Sequence, residues 1–184
     1  MKQHAGFCLI VVSALMTPAF AADVPNYKLG DKVPDFTLDA IDGGKVTLSS
    51  VAEKGPVVLV VLRGYPGYQC PLCTRQVADL VGNAEAIRAT GASVIMVYPG
   101  PADALKAHAD EFLKGSTLPD GFRLVIDPDY SFTNGYKLRW DAPKETAYPS
   151  TFVLDKTLGV RFAKVSRTHG GRANSKEILA ALTP

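Results

Sequence analysis

Cysteine is scarce in this chain: there are three in 184 residues, with one tryptophan and three histidines. So few cysteines exclude a disulfide-dense secreted scaffold. There is no dense basic run, and the formal net charge is only +2, so nothing points to nucleic acid as a partner. Charged residues make up 21% and the mean hydropathy is +0.07, values that fit neither a disordered tail nor a polytopic membrane protein. Internal repeats and low-complexity tracts are lacking as well. What remains is a length suited to one ordinary domain with a real hydrophobic core. The odd number of cysteines needs its own explanation.

The N-terminus supplies one. Lys2 gives a short basic start, Phe7 to Val12 opens an apolar run that continues to Met16, and Ala19-Phe20-Ala21 follows with small residues around a large one. This is the pattern of a secretory signal peptide, so residues 1–21 are expected to be cleaved after Ala21 and 22–184 to form the mature domain. The run is short for a membrane span, and no second one of that length occurs, so no span is expected after cleavage. An uncleaved anchor is the plainer alternative. Cys8 lies early in the apolar run and is poorly placed for lipidation. Removing 21 of 184 residues leaves 163, with one basic residue fewer and a charge of +1. Two cysteines survive, Cys70 and Cys73. The expected location is the periplasm or the exterior.

The mature chain alternates strand-like and helix-like patterns. Phe36-Thr37-Leu38 and Lys45 to Leu48 flank Asp42-Gly43-Gly44, good chemistry for a hairpin. Val57 to Leu62 is an unbroken apolar, β-branched run of the kind found in a central strand covered on both faces. From Thr74, Val77, Leu80, Val81, Ala84 and Ile87 recur at helical spacing as far as Gly91. Strands are expected over 93–98 and 122–126, helices over 103–113 and 130–138, and a hairpin from 151–154 and 160–163. Asn174 caps a final helix, with Glu177 as its capping-box partner. The alternation argues for an α/β domain with a partly parallel sheet.

Cys70 and Cys73 sit where the central strand hands over to a helix. Pro71 fits the first helical position, which places Cys70 at the N-cap and Cys73 in the first turn. Free N–H groups and the positive end of the helix dipole stabilise a thiolate there, lowering cysteine pKa values to about 3.5–7.5. A structural disulfide is the blander reading, but a bridge across two residues restrains little chain. A zinc site would need two further ligands, and only His108 and His169 remain, at no standard spacing. His108 reads as a semi-buried helix residue. No metal and no cofactor are expected.

Pro34-Asp35-Phe36-Thr37-Leu38, the strand Val57–Leu62 and the run Arg63-Gly64-Tyr65-Pro66-Gly67-Tyr68-Gln69-Cys70-Pro71-Leu72-Cys73 resemble the redoxin branch of the thioredoxin superfamily, and within it the peroxiredoxin-like (AhpC/TSA) proteins. The likeness spans about residues 30–182. It implies a thioredoxin-like α/β fold, a central mixed sheet flanked by helices with an N-terminal β-hairpin extension. Two family patterns overlay the motif. Peroxiredoxins carry Pro, then Thr or Ser, then the peroxidatic Cys, a spacing matched by Pro66, Cys70 and Cys73, with Cys70 replacing the hydroxyl residue. Thioredoxin-type reductases instead attack through the first thiol, which would be Cys70, and resolve with the second.

Tyr148-Pro149-Ser150-Thr151-Phe152 is similar to the proline-preceded strand that faces the dithiol in thioredoxin-like proteins. The resemblance implies a cis Pro149 beside both cysteines and a substrate contact at Tyr148 and Pro149; an ordinary edge-strand proline is the alternative. Peroxiredoxins often place an arginine near this strand, and none lies in 145–152. Arg63, Arg139 and Arg172 are candidates from elsewhere, each otherwise read as a solvated surface residue.

The resemblance therefore implies an exported oxidoreductase, a thiol-dependent peroxidase or a thiol-disulfide oxidoreductase. Its substrate would be a hydroperoxide or a protein disulfide, and its turnover would need an external thiol reductant. A copper-binding redoxin-fold carrier using the two cysteines and a histidine is the rival. The two-residue spacing and the position of His169 count against it. A redox-inactive scaffold is the third reading.

Overall fold

A computed structural model describes residues 25–183; the expected signal peptide and its cleavage site lie outside that range. Seven strands form one mixed sheet: β1 (Thr37–Ala40), β2 (Lys45–Thr47), β3 (Val57–Val61), β4 (Ser93–Gly100), β5 (Phe122–Pro128), β6 (Ser150–Leu154) and β7 (Val160–Val165). Their order is β2-β1-β5-β4-β3-β6-β7. β3 pairs in parallel with β4 and antiparallel with β6, so it lies inside the sheet. All five of its residues are buried, as an apolar run with no polar alternation requires.

The period of two divides β3 between two cores. Val58, Val60 and Leu62 pack on one face with α2 (Pro71–Gly82), α3 (Ala84–Ala89), α4 (Leu105–Leu113) and α6 (Ser175–Leu182). Val57, Leu59 and Val61 pack on the other with α1 (Leu48–Ala52), α5 (Ser131–Gly135) and the N-terminal hairpin. Each such side chain contributes about 1.5–3 kcal/mol on burial. The hairpin joins the main sheet through β1, which pairs with β5 at Asp39–Ile126 and Ala40–Val125. None of the described helices is long and apolar enough to cross a membrane.

One expected helix is two. The apolar spacing runs on from Thr74 to Gly91, but the backbone breaks at Asn83, with φ −111° and ψ 16°. Its side-chain Nδ2 donates to the Asp79 carbonyl at 2.8 Å and competes with the helical ladder. The Asp79 carboxylate turns to α6, accepting from the Ser175 N–H at 2.7 Å and its hydroxyl at 2.9 Å. The capping box of Asn174 and Glu177 forms as its spacing predicts.

Candidate active site

β3 ends beside Arg63, and Gly64 turns the chain at φ +66°. A Cβ at Gly64 would stand 1.8 Å from the Pro99 carbonyl oxygen, so only glycine allows this close approach. Gln69 then fixes the approach to the motif. Its amide accepts from the hydroxyl of Tyr98 at 2.7 Å and donates to the His108 carbonyl at 2.9 Å. His108 itself is semi-buried on α4 and stacks on Tyr65 with ring centroids 3.5 Å apart. Cys70 follows as the N-cap of α2, with Pro71 opening the helix and Cys73 in its first turn.

Both sulfurs are free, and both are buried, but their surroundings differ. The Cys73 thiol donates toward Cys70, and the Leu72 and Cys73 backbone N–H groups and the Arg172 charge add to its effect. Together they outweigh burial and hold the Cys70 pKa down at about 5. Arg172 Nη2 lies 3.7 Å from Cys70 Sγ. Cys73 is the reverse case. Its role as donor to Cys70, together with burial, pushes its pKa above the ordinary range, although the Arg63 backbone N–H donates to its sulfur at 3.3 Å. The two shifts run in opposite directions, with the Cys70 thiol held low and the Cys73 thiol held high.

The three candidate arginines separate. Arg172 alone donates a guanidinium N–H to a sulfur, and it is fixed by the Gln76 amide oxygen at 3.1 Å and the His169 carbonyl at 3.0 Å. Arg63 is no solvated surface residue: it is 2% exposed. Its guanidinium meets Glu145 Oε2 at 2.7 Å, the Lys144 carbonyl at 2.6 Å and the Tyr68 hydroxyl. Burial works against that charge, but Glu145 and Tyr68 outweigh it and raise the Arg63 pKa. Arg139 is engaged by other partners, gathering the carbonyls of Trp140, Glu145 and Thr146 and lying over the Tyr130 ring.

Pro149 is buried immediately before β6, whose Ser150 pairs with Val61 next to the motif loop. The described residues contain no cis peptide bond, so the Tyr148–Pro149 bond is trans, contrary to what the resemblance implies. The backbone there is already engaged. Tyr148 donates its N–H to Leu138 and accepts from the Ser150 hydroxyl, each at 2.8 Å, and the Pro149 carbonyl accepts from Ser166 at 2.9 Å. The Tyr148 ring stacks on Trp140 at 4.8 Å. On the other flank of the site, a groove of about 410 Å³ runs between α2 and the start of α6, with Leu72, Arg75, Gln76 and Arg172 in its walls.

Among the described residues, no three His, Cys, Asp or Glu side chains come together to hold a metal ion. His169 Nε2 instead lies 2.8 Å from Glu145 Oε1. Glu145, Gln69 and Gln76 are the site residues that sequence reasoning passed over. Glu145 lies 82 positions from Arg63 with no motif around it, so only the fold brings the two together.

Residues 29–163 match the model of the AhpC/TSA family. Peroxiredoxin Bcp of Bacillus subtilis is 30% identical over 134 residues, which cover 70% of this chain and 79% of that one. Among solved structures, peroxidoxin BcpB from Mycobacterium tuberculosis superposes with a TM-score of 0.67 at 24% identity, covering 85% of this chain and 97% of that one. A Chlorobium tepidum protein provisionally designated a thiol:disulfide interchange protein DsbE superposes with a TM-score of 0.61 at 25% identity, covering 85% and 99%.

Proposed function

The chain belongs to the AhpC/TSA family, and from that premise we propose that it is an exported dithiol peroxidase in which Cys70 attacks and Cys73 resolves. Thiol-dependent oxidoreductase chemistry comes with the family. The order of the two sulfurs rests on one observation: a guanidinium N–H reaches Cys70 Sγ, while Cys73 sits behind it with a raised pKa. A thiolate is the nucleophile in this chemistry, so the sulfur ionised at neutral pH acts first.

The Cys70 thiolate attacks one oxygen of a hydroperoxide, and the O–O bond breaks. Sulfur is oxidised to a sulfenic acid, and the other oxygen leaves with the electron pair and takes up a proton as water or an alcohol. Arg172 stands where it steadies the thiolate before attack and the negative charge that develops on the leaving oxygen. The Cys73 thiol then attacks the sulfenic sulfur, a Cys70–Cys73 disulfide forms, and hydroxide leaves to be protonated as water. An external thiol reductant returns two electrons. No bound cofactor enters either step. Cys70 is only 3% exposed, which suits a small hydroperoxide better than a bulky protein disulfide.

A second reading, thiol-disulfide exchange through the same Cys70, is favoured by Cys70 standing in place of the hydroxyl residue and by the likeness to the Chlorobium tepidum protein. It uses a mixed disulfide collapsed by Cys73. Stopped-flow mixing of reduced protein with hydrogen peroxide separates the two. Peroxidase function requires oxidation faster than a free thiol of equal pKa, with two thiols lost per peroxide. A rate no faster, together with reduction of insulin disulfides, would replace it with the exchange reading. The mature domain of this proposal is 22–184, in the periplasm or outside the cell. N-terminal sequencing of the exported protein tests this, and an N-terminus at Ala22 is the expected result.

A further inference from the structure

We propose that Glu145 is the positioning residue that holds both arms of the dithiol site, one carboxylate oxygen fixing the contact to Cys73 and the other the contact to Cys70. Its Oε2 accepts from Arg63 Nε at 2.7 Å, and the backbone N–H of that same Arg63 donates to Cys73 Sγ at 3.3 Å. Its Oε1 meets His169 Nε2 at 2.8 Å. The His169 carbonyl in turn holds Arg172 Nε at 3.0 Å, and Arg172 Nη2 reaches Cys70 Sγ. Neither arm belongs to the other's segment: one starts from the end of β3, the other from the loop between β7 and α6. Glu145 itself stands in a third segment, whose carbonyls are gathered by Arg139.

The carboxylate is largely buried, 11% exposed, and each oxygen has a partner, with burial opposed by its bonds to Arg63 and His169. Buried ionic groups of this kind do little for net stability against a well-packed apolar replacement, and a unique geometry is one reason to keep them. Arg63 and His169 bond the Glu145 carboxylate, Arg139 bonds its backbone carbonyl, Lys144 precedes it in the chain, and Tyr68 reaches it only through Arg63. Glu145 touches neither sulfur, so it acts through Arg63 and Arg172.

The sign of its effect on thiol ionisation separates positioning from field. Removing a nearby negative charge, with nothing else moved, lowers a thiol pKa. Releasing Arg172 from Cys70 raises it. This inference builds on the assignment of Cys70 as the attacking sulfur, and the test keeps the two apart. Reduced full-length protein is alkylated with iodoacetamide from pH 4 to 9, and peptide mapping identifies which of Cys70 and Cys73 is labelled first. In Glu145→Ala the midpoint of that first thiol rises by about one pH unit, a tenfold loss of thiolate below the midpoint. Glu145→Gln, with one acceptor left for Arg63, falls between this variant and the wild type.

His169→Ala, at a half-exposed position, cuts only the link between Glu145 and the loop whose His169 carbonyl holds Arg172, and keeps the test open should Glu145→Ala fail to fold; the Cys70 midpoint rises there too, by less. Asp127→Asn, at a buried carboxylate that holds the Phe132 and Thr133 N–H groups at the start of α5, lowers the melting temperature and leaves the midpoint in place. Midpoints unchanged or lowered in both Glu145→Ala and His169→Ala overturn the inference, whichever sulfur is labelled first. First labelling at Cys73 in the wild type overturns the attack assignment instead, while a raised Cys73 midpoint in Glu145→Ala would still support the Arg63 arm.

Discussion

Two helices on the same face of the sheet begin in opposite ways. At α6, Asn174 accepts from the Glu177 N–H and Glu177 from the Asn174 N–H, each at 3.0 Å, and Asp79 takes the Ser175 N–H. At α2 no side-chain cap bond forms: Pro71 removes one donor, and the N–H groups of Leu72 and Cys73 are left to favour the Cys70 thiolate. A capped helix start is built for stability. An open one beside a sulfur keeps its partial positive charge for an anion. Five of the six described helices start without a side-chain cap bond, so what sets α2 apart is the sulfur beside its free N–H groups.

The strongest way to break the contrast is to remove the sulfur. Cys70→Ser puts a good capping side chain at the open end, so the fold should hold or gain slightly while peroxide turnover falls by about 10³-fold or more, since a serine hydroxyl is not ionised at neutral pH. Stopped-flow oxidation and thermal melting, run on one preparation, read both halves. Next in size is Arg172→Leu. It takes away the guanidinium at Cys70 and should raise the thiol midpoint enough to slow alkylation at pH 5 by about tenfold.

The pH dependence sharpens the comparison further. The Cys70 pKa is held down at about 5, so the alkylation rate of the wild type should rise through pH 5 and level off well before neutrality. The same shift has a stability sign. Between about pH 5 and 8.5 the unfolded chain binds a proton on this thiol that the native state does not, so the reduced fold gains stability as pH rises across that window. The gain is complete above the unfolded pKa and is lost as pH falls through 5. Urea titrations of wild type minus Cys70→Ser should show that slope; a flat difference would place the thiolate elsewhere. The smallest effect belongs to the capped end. Asn174→Ala should cost about 1 kcal/mol in the same titrations and leave the Cys70 midpoint where it is.

Much of this was legible in the sequence because the signals are local. The β3 run, the Pro71 start, the Cys70 N-cap and the Asn174–Glu177 box each depend on a few neighbouring residues, and each appears where its pattern places it. Local pattern failed at Asn83, where apolar spacing continues through a backbone break. What breaks the helix there is a polar side chain bonding back to Asp79, and hydrophobic periodicity does not register that. It failed again at the arginines. Arg63, Arg139 and Arg172 look alike in sequence, but Arg139 gathers carbonyls within seven positions, while the carboxylate at Arg63 and the sulfur at Arg172 lie 82 and 102 positions away.

The sequence by itself thus determined the fold class, the two thiols and their place at the mouth of one helix, because strand period, helix start and cysteine spacing are short-range properties. Only the tertiary structure showed what surrounds each sulfur. The two cysteines stand three positions apart in one turn, and what tells them apart is their contacts with each other and with groups from other segments: the Cys73 thiol and Arg172 favour a charge on Cys70, while the Arg63 N–H reaches Cys73. Electrostatic bias depends on distance through space. Folding sets that distance, and sequence separation does not reveal it.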